Sequence, residues 1–228
     1  MALLRSDTLE ARGFHHAFPE RGATDADLVR ELGLPLGVAI VQVKQVHGAD
    51  AIDAAEAGPN RCADALVGRA GVGPHAVGVR VADCVPVLVG DDASGNVAAI
   101  HAGWRGVVAG VVRAGVARLT ESGAPAHLVA AIGPCIGPCC FEVGRDVAEQ
   151  IVRASPGARV VVADRGDKAF VDLRAAVRAQ LVALGVEDTC IDDVAGCTKH
   201  ESARFHSFRR DGPSSGRMLA AIAARRSA

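Results

Sequence analysis

Four short, mostly valine-rich runs follow one another closely, at 65–67, 77–81, 85–89 and 97–100, and only Gly, Pro, Asp and a few polar residues separate them. Each is too short for a buried helix and is bounded by turn formers, which is the pattern of neighbouring strands in one sheet. No helical spacing intervenes between them. That argues against a doubly wound Rossmann sheet, in which strands and helices alternate, and no G-x-G-x-x-G follows a strand.

Helices are expected around this sheet. Residues 27–32 have helical spacing and stop at Gly33 and Pro35. From Trp104 to Leu119 the residues Val107, Val108, Val111, Val112, Val116 and Leu119 recur at three- and four-residue steps, so one amphipathic helix is predicted there. Gly106, Gly110 and Gly115 lie within it and each costs about 1 kcal/mol relative to Ala, a cost that close packing on the sheet can offset. Two more helices are predicted at about 144–154 and 172–184, the second with Asp172 as N-cap and Gly185 as stop. Strands are expected at 38–46, 128–132 and 191–194, an extended piece at 205–209, and a loop at 58–64. The tail, 217–226, is ambiguous: its composition favours helix, yet Met218, Ala220 and Ile222 alternate. The class is α+β (mixed α/β), expected as one domain over 1–228.

The totals exclude several roles. Half of the 228 residues are hydrophobic and the formal net charge is −1, so neither nucleic acid nor an anionic membrane is the expected partner. The start has no apolar stretch long enough for a signal peptide, and no apolar run approaches a membrane span. Seven cysteines, an odd number, are then expected as reduced thiols in a cytoplasm.

Against that background three polar residues share one context. Cys84 follows the run ending at Val81, His101 ends the run 97–100 and precedes Gly-Trp-Arg-Gly, and His47 follows Val41, Val43 and Val46. Spacings of 37 and 17 residues match no compact zinc finger. The repeated context is what selects them, because ligands at strand ends can face a shared cavity. One thiolate and two imidazoles suit a zinc ion that keeps an open position. Arg105, in the turn after His101 and near a helix N-terminus, is the leading phosphate contact, and Asp83, Asp64 and Glu142 are the candidate proton carriers. Cys135, Cys139 and Cys140 form C-x-x-x-C-C after Gly-Pro; without C-x-x-C spacing or a second pair they read as small residues of a tight loop.

The motifs VKQVHGAD, RCADALVG, GVRVADCVPVLVGD, AAIHAGWRG, AIGPCIGPCCFEVG and FRRDG-x-x-SGRM occur in this order. Together they resemble the YfiH-type laccase-domain family, over about His15 to Met218. The resemblance implies a four-layer α-β-β-α sandwich with mixed sheets. It further implies a zinc site on His47, Cys84 and His101, and activity on adenosine, inosine and S-methyl-5′-thioadenosine. The chain departs from the family pattern at Glu20, where an arginine is expected, and at His206, Phe208 and Ser215, where Phe, Tyr and Thr are more usual.

The expected function is therefore a zinc-dependent purine nucleoside phosphorylase with adenosine deaminase activity. Its partners would be a purine nucleoside and phosphate, its catalytic residues Cys84, His101, Arg105 and Asp83, and its state monomeric. The same open metal site would serve a peptidoglycan-precursor amidase that removes L-Ser from UDP-MurNAc-L-Ser. A copper oxidase is disfavoured, since the chain has no His-x-His pair, although Cu(II) could occupy the same trio. A cysteine hydrolase would use Cys84 as nucleophile and His101 as base. The non-enzyme alternative is a metal-binding module.

Overall fold

The computed structural model describes residues 2–35, 37–72, 76–121 and 127–225. A six-stranded sheet is central. Its order is β12 (Ile191–Asp193), β8 (Leu128–Ile132), β6 (Val85–Asp91), β7 (Val97–Ala102), β4 (Ala65–Gly68) and β3 (Ala51–Asp53). The inner pairs are antiparallel and the two outer pairs parallel, so the sheet is mixed. All seven residues of β6 are buried, as a strand covered on both faces must be.

The pleat divides this sheet between two cores. Val85, Val87, Val89, Ala98, Ile100 and Ala102 pack on the helices α3 (Trp104–Ala109), α4 (Val111–Leu119), α5 (Arg145–Arg153) and α6 (Leu173–Ala183). Leu66, Leu88, Val97 and Ala99 face a second sheet. That sheet is antiparallel and runs β1 (Leu3–Leu4), β2 (His16–Pro19), β13 (Met218–Ala223) and β5 (Ala76–Val81). Its far face receives Leu28 and Leu32, from or beside α2 (Asp25–Glu31). The layers are thus α-β-β-α, as expected. A small hairpin sheet, β10 (Val161–Arg165), β11 (Lys168–Val171) and β9 (Glu142–Gly144), lies beside α5. Two short helices complete the elements, α1 (Asp7–Ala11) and α7 (Phe208–Asp211).

Three expectations needed correction and one open reading was resolved. The single helix over 104–119 is two, because Gly110 adopts φ +90°, ends α3 and starts α4. Gly115 does serve close packing, since a Cβ there would lie 2.6 Å from Ile100 Cδ1. The strand over 38–46 is reduced to isolated bridges, Val41 to Val77 and Lys44 to Cys62. Beyond Val41 the Gln45 side chain takes the backbone's place, accepting from Arg80 N–H at 2.8 Å and donating to Arg80 C=O at 2.9 Å. The extended piece at 205–209 turns into α7 because the Ser207 hydroxyl caps it, accepting from Arg210 N–H. The ambiguous tail is a strand. Ala220 and Ile222 face the six-stranded sheet while Leu219, Ala221 and Ala223 face α2, so alternation prevails over helical composition. Arg226 of that tail lies outside the described residues.

The expected helices at about 144–154 and 172–184 are α5 and α6, and Asp172 caps α6 by accepting from Ala175 N–H at 3.0 Å. The short β1, α1, β3 and the hairpin β9–β11 had no clear signal. Each is brief, and its stability comes from what it packs against.

Candidate active site

Asp83 and Cys84 lie where the chain crosses from β5 in one sheet to β6 in the other. Asp83 adopts φ +93°, an uncommon conformation for a residue with a side chain, and is held there at both carboxylate oxygens. Oδ1 accepts from the Thr198 hydroxyl at 2.6 Å and Oδ2 from Arg209 N–H at 2.6 Å. Asp83 thereby aims the next residue, Cys84. His101 sits one residue from the end of β7, opposite Pro86, on the pleat face that Val97 and Ala99 share. His47 is not at a strand end. It stands in a turn with φ +60°, and the strand expected before it is largely absent.

The fully buried Asp64 links the two histidines. Its Oδ1 accepts from His101 Nδ1 at 2.7 Å and from His47 N–H at 2.9 Å, and its Oδ2 from Gly48 N–H at 2.7 Å and Val46 N–H at 3.2 Å. One carboxylate therefore folds the turn that carries His47 and orients the ring of His101. His101 N–H also donates to Asp64 C=O at 2.7 Å. With Nδ1 committed to Asp64, Nε2 is the nitrogen of His101 left to face Cys84.

The thiol and the two rings meet. Cys84 Sγ lies 3.7 Å from His47 Nε2, the imidazole centroids are 4.8 Å apart, and the three donor atoms fall within 4.8 Å of one another. Gly103 leaves room for this: a Cβ there would lie 2.8 Å from His47 Cδ2 and 3.0 Å from Cys84 Sγ. Burial alone would push the Cys84 thiol up, but hydrogen bonds to His101 and His47 outweigh it and lower it to about 7. Burial opposes the charging of His101, yet Asp64 and Cys84 raise it to about 9. Burial also acts against the Asp64 carboxylate, and the bonds from His101, Gly48 and Val46 hold it below its usual range. Without a metal, Cys84 and His101 thus favour a thiolate–imidazolium pair.

This trio opens on a cavity of about 510 Å³ walled by Ile136, Phe141, Phe208, Arg80, Arg209 and Arg217, among others. Arg80 is occupied by Gln42 and Asp25. Arg209 lies 5.5 Å over the Phe141 ring and Arg217 5.6 Å over Phe208. The pair at 209 and 210 divides: Arg210 binds Asp211 and the backbone of Thr198, Lys199 and Phe205, while Arg209 reaches the cavity. Arg105 is not among the cavity's lining residues, and its guanidinium stacks 4.6 Å over Trp104. Glu142 bonds to Lys168. Arg217, Gln45 and Phe141 were not singled out from sequence. Their only signal there was membership of quoted motifs, Gln45 in VKQVHGAD, Phe141 in GPCCFEVG and Arg217 in SGRM.

Residues 22–225 match the family described as multi-copper polyphenol oxidoreductase laccase. Over 184 residues the chain is 38% identical to the protein named purine nucleoside phosphorylase YfiH of Escherichia coli (strain K12), covering 80% of this chain and 72% of that one. It is 42% identical over 149 residues to adenosine deaminase RL5 from an unknown prokaryotic organism, and this match spans 64% of the chain and 57% of that relative. The fold superposes on the crystal structure of Neisseria meningitidis protein NMB0706 with a TM-score of 0.78 and 30% identity, covering 98% and 99% of the two chains. A match this long, on this fold, means that the chain belongs to the multi-copper polyphenol oxidoreductase laccase family, in its YfiH-like branch.

Proposed function

We propose that the protein is a zinc-dependent purine nucleoside phosphorylase, with adenosine deamination as a second activity of the same site. The observation that carries this reading is the placement of the Cys84–His47–His101 trio in a cavity that also holds aromatic rings and three arginines, Arg80, Arg209 and Arg217. The names of relatives, purine nucleoside phosphorylase and adenosine deaminase, point the same way.

The donor set fits the metal. One thiolate with a lowered pKa and two imidazoles suit zinc better than a hard cation, and an outer carboxylate on the remote ring nitrogen of His101 is the usual support for such a ligand. When bound, the ion supplies Lewis acidity in a site with an open position. The chain's own residues do the rest. Phe141 and Phe208 offer faces on which a purine stacks, and Ile136 excludes water beside it. Arg209 and Arg217 bring positive charge for the phosphate that attacks C1′ of the ribose. Asp83 is a positioning residue, holding the Thr198 hydroxyl and Arg209 N–H with one hydrogen bond at each carboxylate oxygen.

The test is zinc-loaded protein incubated with adenosine, with and without phosphate, the products separated by chromatography. Adenine formed only with phosphate is expected, with inosine in both samples; neither product would end the purine reading. The chain Cys84–His101–Asp64 also has the order of a cysteine hydrolase triad. Turnover that survives complete metal removal but not Cys84→Ala would favour that second reading.

A further inference from the structure

The cysteines of GPCIGPCC have partners that lie far off in sequence. Cys139 Sγ lies 3.5 Å from Cys140 Sγ, 3.8 Å from Cys197 Sγ and 3.8 Å from His200 Nδ1. The three sulfurs fall within 4.8 Å of one another, and all are free thiols. We propose that Cys139, Cys140, Cys197 and His200 form a second, structural zinc site, separate from the trio in the cavity.

Geometry and surroundings support it. A tetrahedral zinc with Zn–S bonds of about 2.3 Å holds its sulfurs about 3.8 Å apart and a sulfur and a nitrogen about 3.5 Å apart. The observed separations from Cys139 need only tenths of an ångström of adjustment, whereas His200 stands outside the group of three sulfurs that lie within 4.8 Å of one another and would have to move closer to complete the set. Gly137 N–H donates to Cys197 Sγ at 3.2 Å, a bond that favours the thiolate a metal requires. A Cβ on Gly137 would lie 3.2 Å from Cys197 Sγ and 3.4 Å from Cys139 Sγ, so the turn leaves its space to sulfur. The second loop is fixed independently of any metal. Cys197 N–H donates to Glu201 Oε1 at 2.7 Å, and Thr198 N–H donates to Cys135 C=O at 3.0 Å. Four protein ligands would close the coordination sphere, which is the character of a structural site. Binding displaces three thiol protons to solvent for each zinc taken up.

The site would act on the cavity through its neighbours. Phe141 follows Cys140 and lines the cavity; Thr198 follows Cys197 and holds Asp83, which aims Cys84. A zinc ion here ties together two loops, 137–140 and 197–200, of which the first is flanked by the lining residues Ile136 and Phe141 and the second reaches the lining residue Asp83 through Thr198.

Zinc content of the full, reduced chain tests this without reference to turnover. After zinc loading and desalting, two equivalents are expected in the wild type, one in His47→Ala and one in the Cys139→Ser/Cys197→Ser double variant. Cobalt(II) in His47→Ala should show an intense thiolate-to-metal charge-transfer band that the added Cys197→Ser change abolishes. A wild type holding one equivalent that His47→Ala retains would support the second site and remove the first. If His47→Ala holds no metal and its thiols react freely with a thiol reagent, the proposal is overturned. An air-stable mass two hydrogens lower with no metal would likewise overturn it in favour of a redox disulfide. His200→Ala is an exposed change and should fold; zinc lost to chelator no faster than in the wild type would strike His200 from the ligand set.

Discussion

Replacing Asp64 by Asn should uncouple the two histidines. The carboxylate receives four hydrogen bonds, two at each oxygen, and no solvent reaches it. An amide keeps only one acceptor. If its NH₂ occupies the Oδ2 position it faces Gly48 and Val46 N–H, and two bonds to a charged group are lost. At about 1.5–3 kcal/mol each, that costs about 3–6 kcal/mol. If NH₂ occupies the Oδ1 position, the bond from His47 N–H is lost, at about 1.5–3 kcal/mol, and His101 can adapt only by moving its proton to Nε2, which then cannot bind a metal. Either arrangement is costly. The expected result is a urea unfolding free energy lower by at least about 3 kcal/mol, or one lower by about 1.5–3 kcal/mol with metal affinity weakened by about 10–100-fold. Urea titration of the metal-free protein reads the first, and competition with a zinc chelator the second. A variant that loses under about 1 kcal/mol and also keeps wild-type zinc affinity would refute the reasoning, because the charge at Asp64 would then be dispensable.

Two further changes probe separate parts of the argument. Gly103→Ala suits the backbone there, φ −69° and ψ 159°, but drives a methyl against His47 and Cys84, so metal affinity should fall while the metal-free protein loses about 1–3 kcal/mol; unchanged affinity in the chelator assay would show that the rings have room. His16 is buried with Nδ1 against Phe14 C=O and Nε2 accepting from Ser6 N–H, and burial holds its pKa below 6.5. Its contribution is therefore complete above pH of about 6.5 and lost as pH falls below that value, where the unfolded chain takes up the proton first. Urea midpoints at pH 7.5 and 5 should differ less in His16→Gln than in the wild type, and equal differences would contradict the assignment.

Much of the active site was legible because its residues stand in strong local contexts. Cys84 and His101 lie beside the two runs that form β6 and β7, where burial and valine content leave little choice of structure. His47 was selected by the same rule, although its own strand is largely missing, so a member of the cluster was picked out from a context that the fold does not keep. Arg105 shows the limit of proximity in sequence. It is four residues from His101, yet the start of α3 carries its side chain over Trp104, outside the set of residues that line the cavity.

By itself the sequence determined the class of fold and its central sheet, because hydrophobic period and turn residues act over a few positions and need no partner. It also picked out Cys84, His47 and His101, which the fold brings together at the cavity, and the family. Only the tertiary structure decided what those donors lean on. Asp64 bonds to the turn at 46–48 and to His101, Asp83 to Thr198 and Arg209, and Cys139 meets Cys197 and His200. Each of these is a contact between side chains or loops distant along the chain. No local pattern encodes such a pairing, since it exists only once packing of the two sheets has brought the segments together.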